Sequence, residues 1–139
     1  MAQLKFPTHQ ENRRTPEERR EAVEFGKVGE EMATRYLVDQ GYTILERNYR
    51  KGHLELDIIA LEEGELVIVE VKTRADDTFL SPENAVVHKK RQAMIRLANQ
   101  YVKSHGRTEN VRLDVIAIVK NNQVLEIKHI KNAFNAICY

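Results

Sequence analysis

Residues 54–72 read LELDIIALEEGELVIVEVK, and this stretch determines the predicted fold. Two runs rich in valine, isoleucine and leucine flank the short polar turn Glu62-Glu63-Gly64, an arrangement typical of a β-hairpin. A turn of two residues places Glu62 opposite Glu65. We favour this register because a shift of one residue would turn the valines of the second strand onto the face that carries the acids.

The predicted hairpin brings charged residues of its two strands together. Because strand side chains alternate between the faces of a sheet, Glu55 and Asp57 are predicted to share one face, and the leucines beside them share the other with Ile58. Glu70 and Lys72 likewise share a face, opposite three valines. In this register Asp57 lies across from Glu70, with Cβ atoms about 4.5–5.5 Å apart. Glu55 lies across from Lys72 in the same way.

Two carboxylates this close repel each other unless a cation neutralises them. Hard oxygen ligands suit Mg²⁺ or Mn²⁺, and a cation held between Asp57 and Glu70 can activate water and stabilise the charge of a phosphodiester under attack. Lys72, two residues after the second acid, can orient or deprotonate that water or stabilise the charged transition state. Asp57 followed by Glu70-Val71-Lys72 therefore predicts a metal-dependent hydrolytic site.

The same charges also fit a second interpretation, a solvated face of ion pairs, because Glu-x-Lys is common on strands. The apolar flanks favour the hydrolytic site. Segments 58–61 and 67–69 are aliphatic, so the hairpin is predicted to lie in the centre of the sheet. Charges that converge on a buried hairpin usually have a function.

A long helix is predicted before the hairpin. Thr15-Pro16-Glu17-Glu18 combines an N-cap, a proline at the first helical position and a capping box. The helix is expected to run from about 16 to about 40, where Gly41 ends it. Gly26 and Gly29 lie inside it, where each costs ~1 kcal/mol relative to alanine, so close packing or a bend is expected there.

A second helix is predicted to start at Ser81-Pro82-Glu83, by the same combination of cap and proline, and to end near His105-Gly106. The predicted strands span 42–49, 55–61, 65–72, 113–119 and 124–130. The resulting order, α-β-β-β-α-β-β, is that of an α/β domain.

The composition limits the class of protein. The chain has 139 residues, of which 42% are hydrophobic and 31% charged, which indicates one soluble globular domain. Its net charge is only +1, so it is less basic than most nucleic-acid-binding proteins unless its charges segregate onto one face. We expect a flexible tail at 1–14, a single domain at 15–130 and a C-terminal tail at 131–139.

Neither a secretory signal nor a membrane segment is expected. The N-terminal segment is charged throughout, and the longest strongly apolar run, 115–119, is far too short to cross a bilayer. Cys138 is the single cysteine, which excludes an intramolecular disulfide and a cysteine-rich metal site. We therefore expect a cytoplasmic protein without a membrane partner.

The order and spacing of several motifs resemble a bacterial family. They are Gly29-Glu30 with Ala33, Tyr36-Leu37, Gly41-Tyr42, ILERNYR at 44–50, ELDIIA at 55–60, VEVKTR at 69–74, Ala85-Val86, Lys90, Ala98, Tyr101-Val102 and Arg112-Leu113-Asp114-Val115. Over roughly residues 24–120 the chain is similar to the YraN-like family. That family in turn is similar to restriction-endonuclease-like and tRNA-endonuclease-like proteins and to archaeal Holliday-junction resolvases.

The resemblance implies a restriction-endonuclease-like fold of the PD-(D/E)xK type, with a central mixed five-stranded sheet flanked by helices. It implies catalytic roles for Glu30 on the first helix and for Asp57, Glu70 and Lys72 on the hairpin. It also implies that Asp57, Glu70 and the carbonyl of Val71 bind the metal.

Basic residues around the predicted site are candidates for binding a phosphate backbone. Lys90 matches a family position on the second helix from which it could reach a phosphate, although it also fits a solvated run of bases at 89–91. Arg47, Arg50 and Arg74 are predicted to belong to a basic rim for nucleic acid.

Some assignments leave alternatives open. Glu30 also fits an ordinary surface acid beside Glu31. Leu54 departs from the family pattern, which usually has glycine before the first acid of the hairpin, and this affects backbone shape more than metal binding. His53 and His88 lie near the predicted site but lack partners at the spacing of a zinc site, so neither is assigned a ligand role.

Three functions are compatible with the sequence. The first is a metal-dependent endonuclease that uses Mg²⁺ or Mn²⁺ to cleave branched or structured nucleic acid, DNA rather than RNA. The second is a nucleic-acid-binding module of the same fold with little activity, and the third is a protein-interaction domain whose acids are surface charge. Resolvases of this class often act as dimers, since a four-way junction presents two symmetric cuts, so a homodimer is a further expectation.

Overall fold

The elements of the structure follow the predicted order. The computed structural model describes residues 14–74 and 88–133. Its helices and strands are α1 (Pro16–Asp39), β1 (Thr43–Lys51), β2 (Leu54–Glu62), β3 (Glu65–Arg74), α2 (His88–Ser104), β4 (Asn110–Asn121) and β5 (Val124–Ile130). The predicted start of the second helix at 81–83 lies outside the described residues, as does most of each predicted tail.

The five strands form one mixed sheet in the order β1-β2-β3-β4-β5. Neighbouring strands are antiparallel except β3 and β4, which run parallel and are joined by the connection that contains α2. The hairpin has the predicted register, from Glu62 opposite Glu65 to Ile58 opposite Val69. The predicted α/β fold with a central mixed five-stranded sheet is therefore confirmed.

Within the described residues, each face of the sheet is covered by one helix. The buried apolar side chains on the α1 face are Ala33, Leu37, Tyr42, Ile58, Ala60, Val67, Val69, Ile116 and Ile118. Those on the α2 face are Leu56, Ile59, Leu66, Ile68, Met94, Leu97, Ala98, Tyr101, Leu113 and Val115. Because β3 is buried on both faces, its sequence from Leu66 to Val69 is continuously aliphatic and does not alternate with polar residues.

Both ends of α1 are capped as the sequence predicts. The Thr15 hydroxyl accepts a hydrogen bond from the Glu18 N–H at 3.1 Å, and the Glu18 carboxylate accepts one from the Thr15 N–H at 2.7 Å. At the other end Gly41 has a φ of +92°, and the Tyr42 N–H donates to the Leu37 carbonyl at 2.9 Å, which forms a Schellman cap. Neither of the two described helices combines the length and apolar character needed to cross a membrane.

A buried network of ion pairs and hydrogen bonds connects β4 and β5 to the hairpin formed by β2 and β3. The fully buried Asp114 carboxylate accepts hydrogen bonds from Arg112 Nε at 2.9 Å and from the Asn132 N–H at 2.9 Å, and it lies 2.8 Å from His129 Nε2. Arg112 also donates to Glu62 at the hairpin turn, at 2.6 Å. A buried carboxylate with this many partners is satisfied, so the network stabilises the sheet. It uses no residue of the predicted site.

Gly29 allows α1 to approach the sheet closely. A Cβ atom at this position would lie 2.3 Å from Thr73 Cγ2 on β3 and 3.4 Å from Ile118 Cγ1 on β4. A Cβ atom at Gly26 would meet nothing within 4 Å. The close packing that the sequence predicts is therefore found at Gly29 and not at Gly26.

Replacing these two glycines with alanine should have opposite effects on stability. Gly29→Ala is expected to destabilise the fold by about 1–3 kcal/mol, the usual cost of overpacking a core. Gly26→Ala should stabilise α1 by up to ~1 kcal/mol, because it removes the helix penalty of glycine. Urea unfolding followed by circular dichroism would measure both changes. Equal effects at the two positions would show that α1 accommodates a side chain at Gly29 without moving.

Candidate functional site

β1 and β2 both leave regular strand geometry at the centre of the predicted site. Asn48 on β1 has a φ of +53°, in the left-handed region that residues other than glycine rarely adopt. On β2 beside it, Leu56 packs in the α2-side core and Ile58 in the α1-side core, although residues two apart in a regular strand share one face. The prediction that the aliphatic residues around Asp57 share one face is therefore wrong, because the backbone twists between Leu56 and Ile58.

Asp57 and Glu70 come together just beyond the regular ladder between β2 and β3. The last pair of that ladder is Ile58 opposite Val69. Beyond it, Asp57 Oδ2 accepts a hydrogen bond from the Val71 N–H at 2.9 Å. The Asp57 and Glu70 carboxyls line the same cleft and lie close enough for Glu70 to raise the pKa of Asp57. The structure thus places the two acids of the predicted metal site next to each other and orients one of them through the backbone.

Two lysines neutralise Glu70. The Glu70 side chain is only 3% exposed, and Lys90 from α2 donates a hydrogen bond to its Oε1 atom. Lys72 Nζ lies 3.5 Å from the same oxygen. A buried carboxylate requires such partners, because an isolated charge inside a protein is strongly destabilising. Lys72, the lysine of the Glu-x-Lys pattern, and Lys90, the lysine predicted to reach a phosphate, therefore both contact Glu70.

The predicted pairing of Glu55 with Lys72 is wrong. Glu55 Oε2 instead lies 3.3 Å from Arg50 Nη2, and Lys72 pairs with Glu70. The reason is that the ladder between β2 and β3 ends at Ile58 and Val69, whereas β1 and β2 stay paired through Glu55, which lies directly opposite Arg50.

Burial and neighbouring charges change the proton affinity of the site. Burial, together with the nearby Glu70 carboxylate, raises the pKa of Asp57 to about 8. Burial also lowers the pKa of Lys72, and the ammonium of Lys90 lowers it further. Burial acts to lower the pKa of Lys90, but the hydrogen bond to Glu70 and the negative charges of Glu70 and Asp57 act together in the opposite direction, and the pKa of Lys90 is raised. At neutral pH Asp57 therefore holds a proton, which a bound divalent cation would displace.

Glu30 approaches these acids from α1. Its position follows from Gly29, which brings this turn of the helix against β3. The Glu30 carboxylate is close enough to Asp57 for its charge to contribute to the raised pKa of that acid. The Asn48 side-chain amide faces two carboxylates, so we assign its nitrogen to the side of these acceptors. In this orientation it donates to Glu30 Oε2 at 3.2 Å and to Glu55 Oε1 at 2.9 Å.

The acids border a cleft of about 250 Å³ between the β-hairpins and α2. Its lining residues are His53, Leu54, Glu55, Asp57, Glu70, Lys90, Ala93 and Met94. The cleft is therefore open to a ligand on the side where the paired carboxyls and Lys90 meet.

The predicted basic rim is only partly assembled around this cleft. Arg50 lies beside it on β1, where it pairs with Glu55. Arg47 instead pairs with Glu31 on α1 at 3.1 Å. Arg74 donates to the carbonyl of its own neighbour at 3.3 Å, and like Arg47 it does not line the cleft.

The oxygen ligands at this site suit a cation whose coordination shell is partly completed by the substrate. Within residues 14–74 and 88–133, no three acidic, histidine or cysteine side chains converge closely enough to enclose a metal ion. Mg²⁺, however, is commonly held by one or two carboxylates, with water and substrate phosphates completing its shell. Asp57 and Glu70 provide two such carboxylates, and the residues present therefore fit a site of this kind.

Asn48 is a residue of the site that the sequence does not predict to be functional. Its signal is that asparagine is depleted in strands yet tolerates the left-handed conformation, so an asparagine inside the predicted strand 42–49 indicates an irregular backbone. The side chains that Asn48 contacts lie on α1 and β2. The local sequence does not show that these two elements come close to Asn48.

Comparison with known proteins groups the chain with a set of bacterial proteins. The sequence pattern of the family described as "Uncharacterised protein family UPF0102" matches residues 29–118. A UPF0102 protein of Bacteroides thetaiotaomicron is 49% identical over 111 residues, which cover 80% of this chain and 92% of that protein. A UPF0102 protein of Persephonella marina is 45% identical over 111 residues, which cover 79% of this chain and 92% of that protein. The names of these relatives state no activity.

The raised pKa of Asp57 predicts that the metal-free protein becomes less stable as the pH rises from about 4 to about 8. The folded state keeps this proton up to a pKa of about 8, whereas the unfolded chain releases it near 3.8. Over this window the folded state binds more protons, so rising pH favours unfolding. Asp57→Asn should remove this component and should be more stable than wild type near pH 8.

Urea unfolding in EDTA at a series of pH values would measure this difference. Asp39→Asn, which removes an exposed carboxylate at the end of α1, is the matched control and should keep the pH dependence of wild type. Parallel pH profiles for wild type and Asp57→Asn would mean that Asp57 is already ionised in the folded protein at low pH.

Proposed function

The chain belongs to the uncharacterised protein family UPF0102, and we propose that it is a divalent-metal-dependent nuclease that hydrolyses phosphodiester bonds of nucleic acid. The observation that carries this proposal is the pair of adjacent carboxyls, Asp57 and Glu70, in a cleft that also contains Lys90. Charges placed against each other in a partly buried cleft are destabilising, and they are typical of functional sites.

In this proposal Asp57 and Glu70 hold Mg²⁺ or Mn²⁺, and the resemblance of the sequence implies the Val71 carbonyl as a further ligand. The bound cation would supply an acidified water and would stabilise the negative charge of the phosphate under attack. The Val71 N–H keeps one Asp57 oxygen in place, so the other oxygen is the one available to a ligand. Glu30 adds negative charge on the side of α1.

The two lysines have different roles in this proposal. Lys72 Nζ lies 3.5 Å from Glu70, and the pKa of Lys72 is lowered by burial, which favours proton transfer at this atom. The pKa of Lys90 is raised, which keeps it charged. Lys90 lies on the cleft and is the side chain best placed to exchange its contact with Glu70 for a substrate phosphate.

We propose branched or structured DNA as the substrate. This part of the proposal is supported by the resemblance of the sequence to Holliday-junction resolvases and by the restriction-endonuclease-like order of the elements. Because a four-way junction presents two equivalent strands for cleavage, a homodimer would suit it. We place this activity in the cytoplasm, where a bacterial protein meets such DNA.

Divalent cations should stabilise wild type but not Asp57→Asn. A ligand that binds only the folded state raises the free energy of unfolding by about 2.7 kcal/mol at a concentration one hundred times its dissociation constant. Thermal unfolding during a titration with Mg²⁺ or Mn²⁺, at constant ionic strength, would measure the shift. Glu63→Gln is the matched control, because it removes an exposed carboxylate at the turn of the same hairpin and should keep the full shift.

The same variants test the reaction. A four-way DNA junction with fixed arms should be cleaved by wild type and by Glu63→Gln in the presence of Mg²⁺. Asp57→Asn and Glu70→Gln should bind the junction but leave it intact. Equal metal stabilisation of wild type and Asp57→Asn, together with no cleavage by either protein, would contradict the proposal.

A nucleic-acid-binding module without catalysis is the second candidate. It is favoured by the two lysines, Lys72 and Lys90, which neutralise Glu70 without any metal. In that case the acids serve to orient the lysines toward a phosphate, and cleavage is not required.

Lys90→Gln should weaken nucleic-acid binding under both candidate functions. Losing one phosphate contact is expected to reduce the slope of log K against log salt by about 1. Fluorescence anisotropy with labelled DNA in EDTA, at several salt concentrations, would measure the slope. Lys103→Gln, at the exposed far end of α2, is the control and should leave the slope unchanged. The same slope for Lys90→Gln and wild type would exclude Lys90 from the interface.

A further inference from the structure

Asn48 combines an unusual backbone conformation with two polar contacts at the site. Its φ of +53° interrupts β1, and pairing with β2 continues on both sides of it, through Arg47 with Ile58 and Tyr49 with Leu56. We propose that Asn48 is a positioning residue, whose amide holds the Glu30 carboxylate of α1 beside the acids of the hairpin. This inference rests on the proposed function, because the acids that it positions are those of the proposed metal site.

The backbone requirement limits the residue type at this position. The left-handed conformation is adopted readily by glycine and, among residues with side chains, mainly by asparagine and aspartate. Aspartate would add a charge among the acids and offers no donor. Asparagine is therefore the residue that satisfies the left-handed turn and also donates hydrogen bonds.

The contacts of Glu55 show how the position of Glu30 is maintained. Glu55 Oε2 lies 3.3 Å from Arg50 Nη2, and its Oε1 accepts from the Asn48 amide at 2.9 Å. The second N–H of that amide is directed to Glu30 Oε2 at 3.2 Å. One neutral amide thus links a carboxylate fixed on β2 to a carboxylate on α1 and reduces their repulsion without neutralising either charge.

Three substitutions distinguish the effect of the Asn48 side-chain amide from the effect of its backbone conformation. Asn48→Gly keeps the left-handed turn and removes the amide, whereas Asn48→Ala disturbs both. Asn122→Gly is the matched control, because Asn122 also has a positive φ, of 46°, in the turn between β4 and β5. If the amide matters, the glycine variant at 48 must differ from wild type at the site while keeping the fold.

The first experiment measures Mn²⁺ affinity by water proton relaxation and thermal stability without metal. Asn48→Gly is expected to keep the melting temperature of wild type but to bind Mn²⁺ about 10–100-fold more weakly, the usual effect of losing a residue that orients metal ligands. Asn48→Ala should show the same loss and also a lower melting temperature. Asn122→Gly should match wild type in affinity. Wild-type affinity in Asn48→Gly would overturn the proposal.

The second experiment needs no metal. Asn48 and Asn122 are both exposed, so a difference in exchange reports on their hydrogen bonds. In ¹⁵N-labelled, metal-free protein the side-chain amide protons of Asn48 should exchange with water more slowly than those of Asn122, and Glu30→Ala should accelerate them. Exchange that does not respond to Glu30→Ala would overturn the positioning contact even if the protein binds Mn²⁺. If wild type binds no Mn²⁺ and the exchange does respond, the proposed function fails and the positioning contact stands.

Discussion

The central strand β3 is hydrogen-bonded to a strand on each side and covered by a helix on each face. A charged side chain in the middle of β3 is therefore withdrawn from water, and this constraint governs the rest of the structure. Glu70 is such a side chain, and it is compatible with the fold because Lys72 and Lys90 meet its carboxylate. On the opposite face, Gly29 brings α1 against the same strand, so the next residue, Glu30, also reaches the buried charges.

Two aspartates with contrasting surroundings distinguish a structural site from the proposed functional site in this fold. Burial acts to raise the pKa of Asp114, but hydrogen bonds from His129 and Arg112 outweigh it and lower the pKa. Burial also acts on Asp57, yet its neighbour Glu70 is another acid and the pKa rises. The first carboxylate is satisfied within the protein and stabilises it. Within residues 14–74 and 88–133 the second forms no ion pair with a lysine or arginine, and it reduces stability at neutral pH, an arrangement that a bound ligand would relieve.

Much of the fold is predictable because its signals are local or periodic. The capping box that begins with Thr15 and the turn at Gly41 bound α1, and the two-residue turn that places Glu62 opposite Glu65 sets the register of the hairpin. That register, continued one residue beyond its last pair of Ile58 and Val69, predicts that Asp57 lies near Glu70. Lys90 could be proposed only from the resemblance to a family, because its contact with Glu70 joins α2 to β3 across a long stretch of chain.

By itself, the sequence determined the order of the elements, the ends of α1 and which acid of β2 faces which acid of β3, since caps and two-residue periodicity act over a few residues. Only the tertiary structure decided that β1 takes the left-handed conformation at Asn48 and that Leu56 and Ile58 pack on opposite faces of the sheet. It also decided that Glu55 pairs with Arg50 across the ladder between β1 and β2. The sequence pattern predicts that side chains alternate regularly along β2, so it cannot show where the strand departs from that alternation. The departure arises because neighbouring residues of these strands pack into the hydrophobic cores on both faces of the sheet. Those cores exist only when both helices have packed against the sheet.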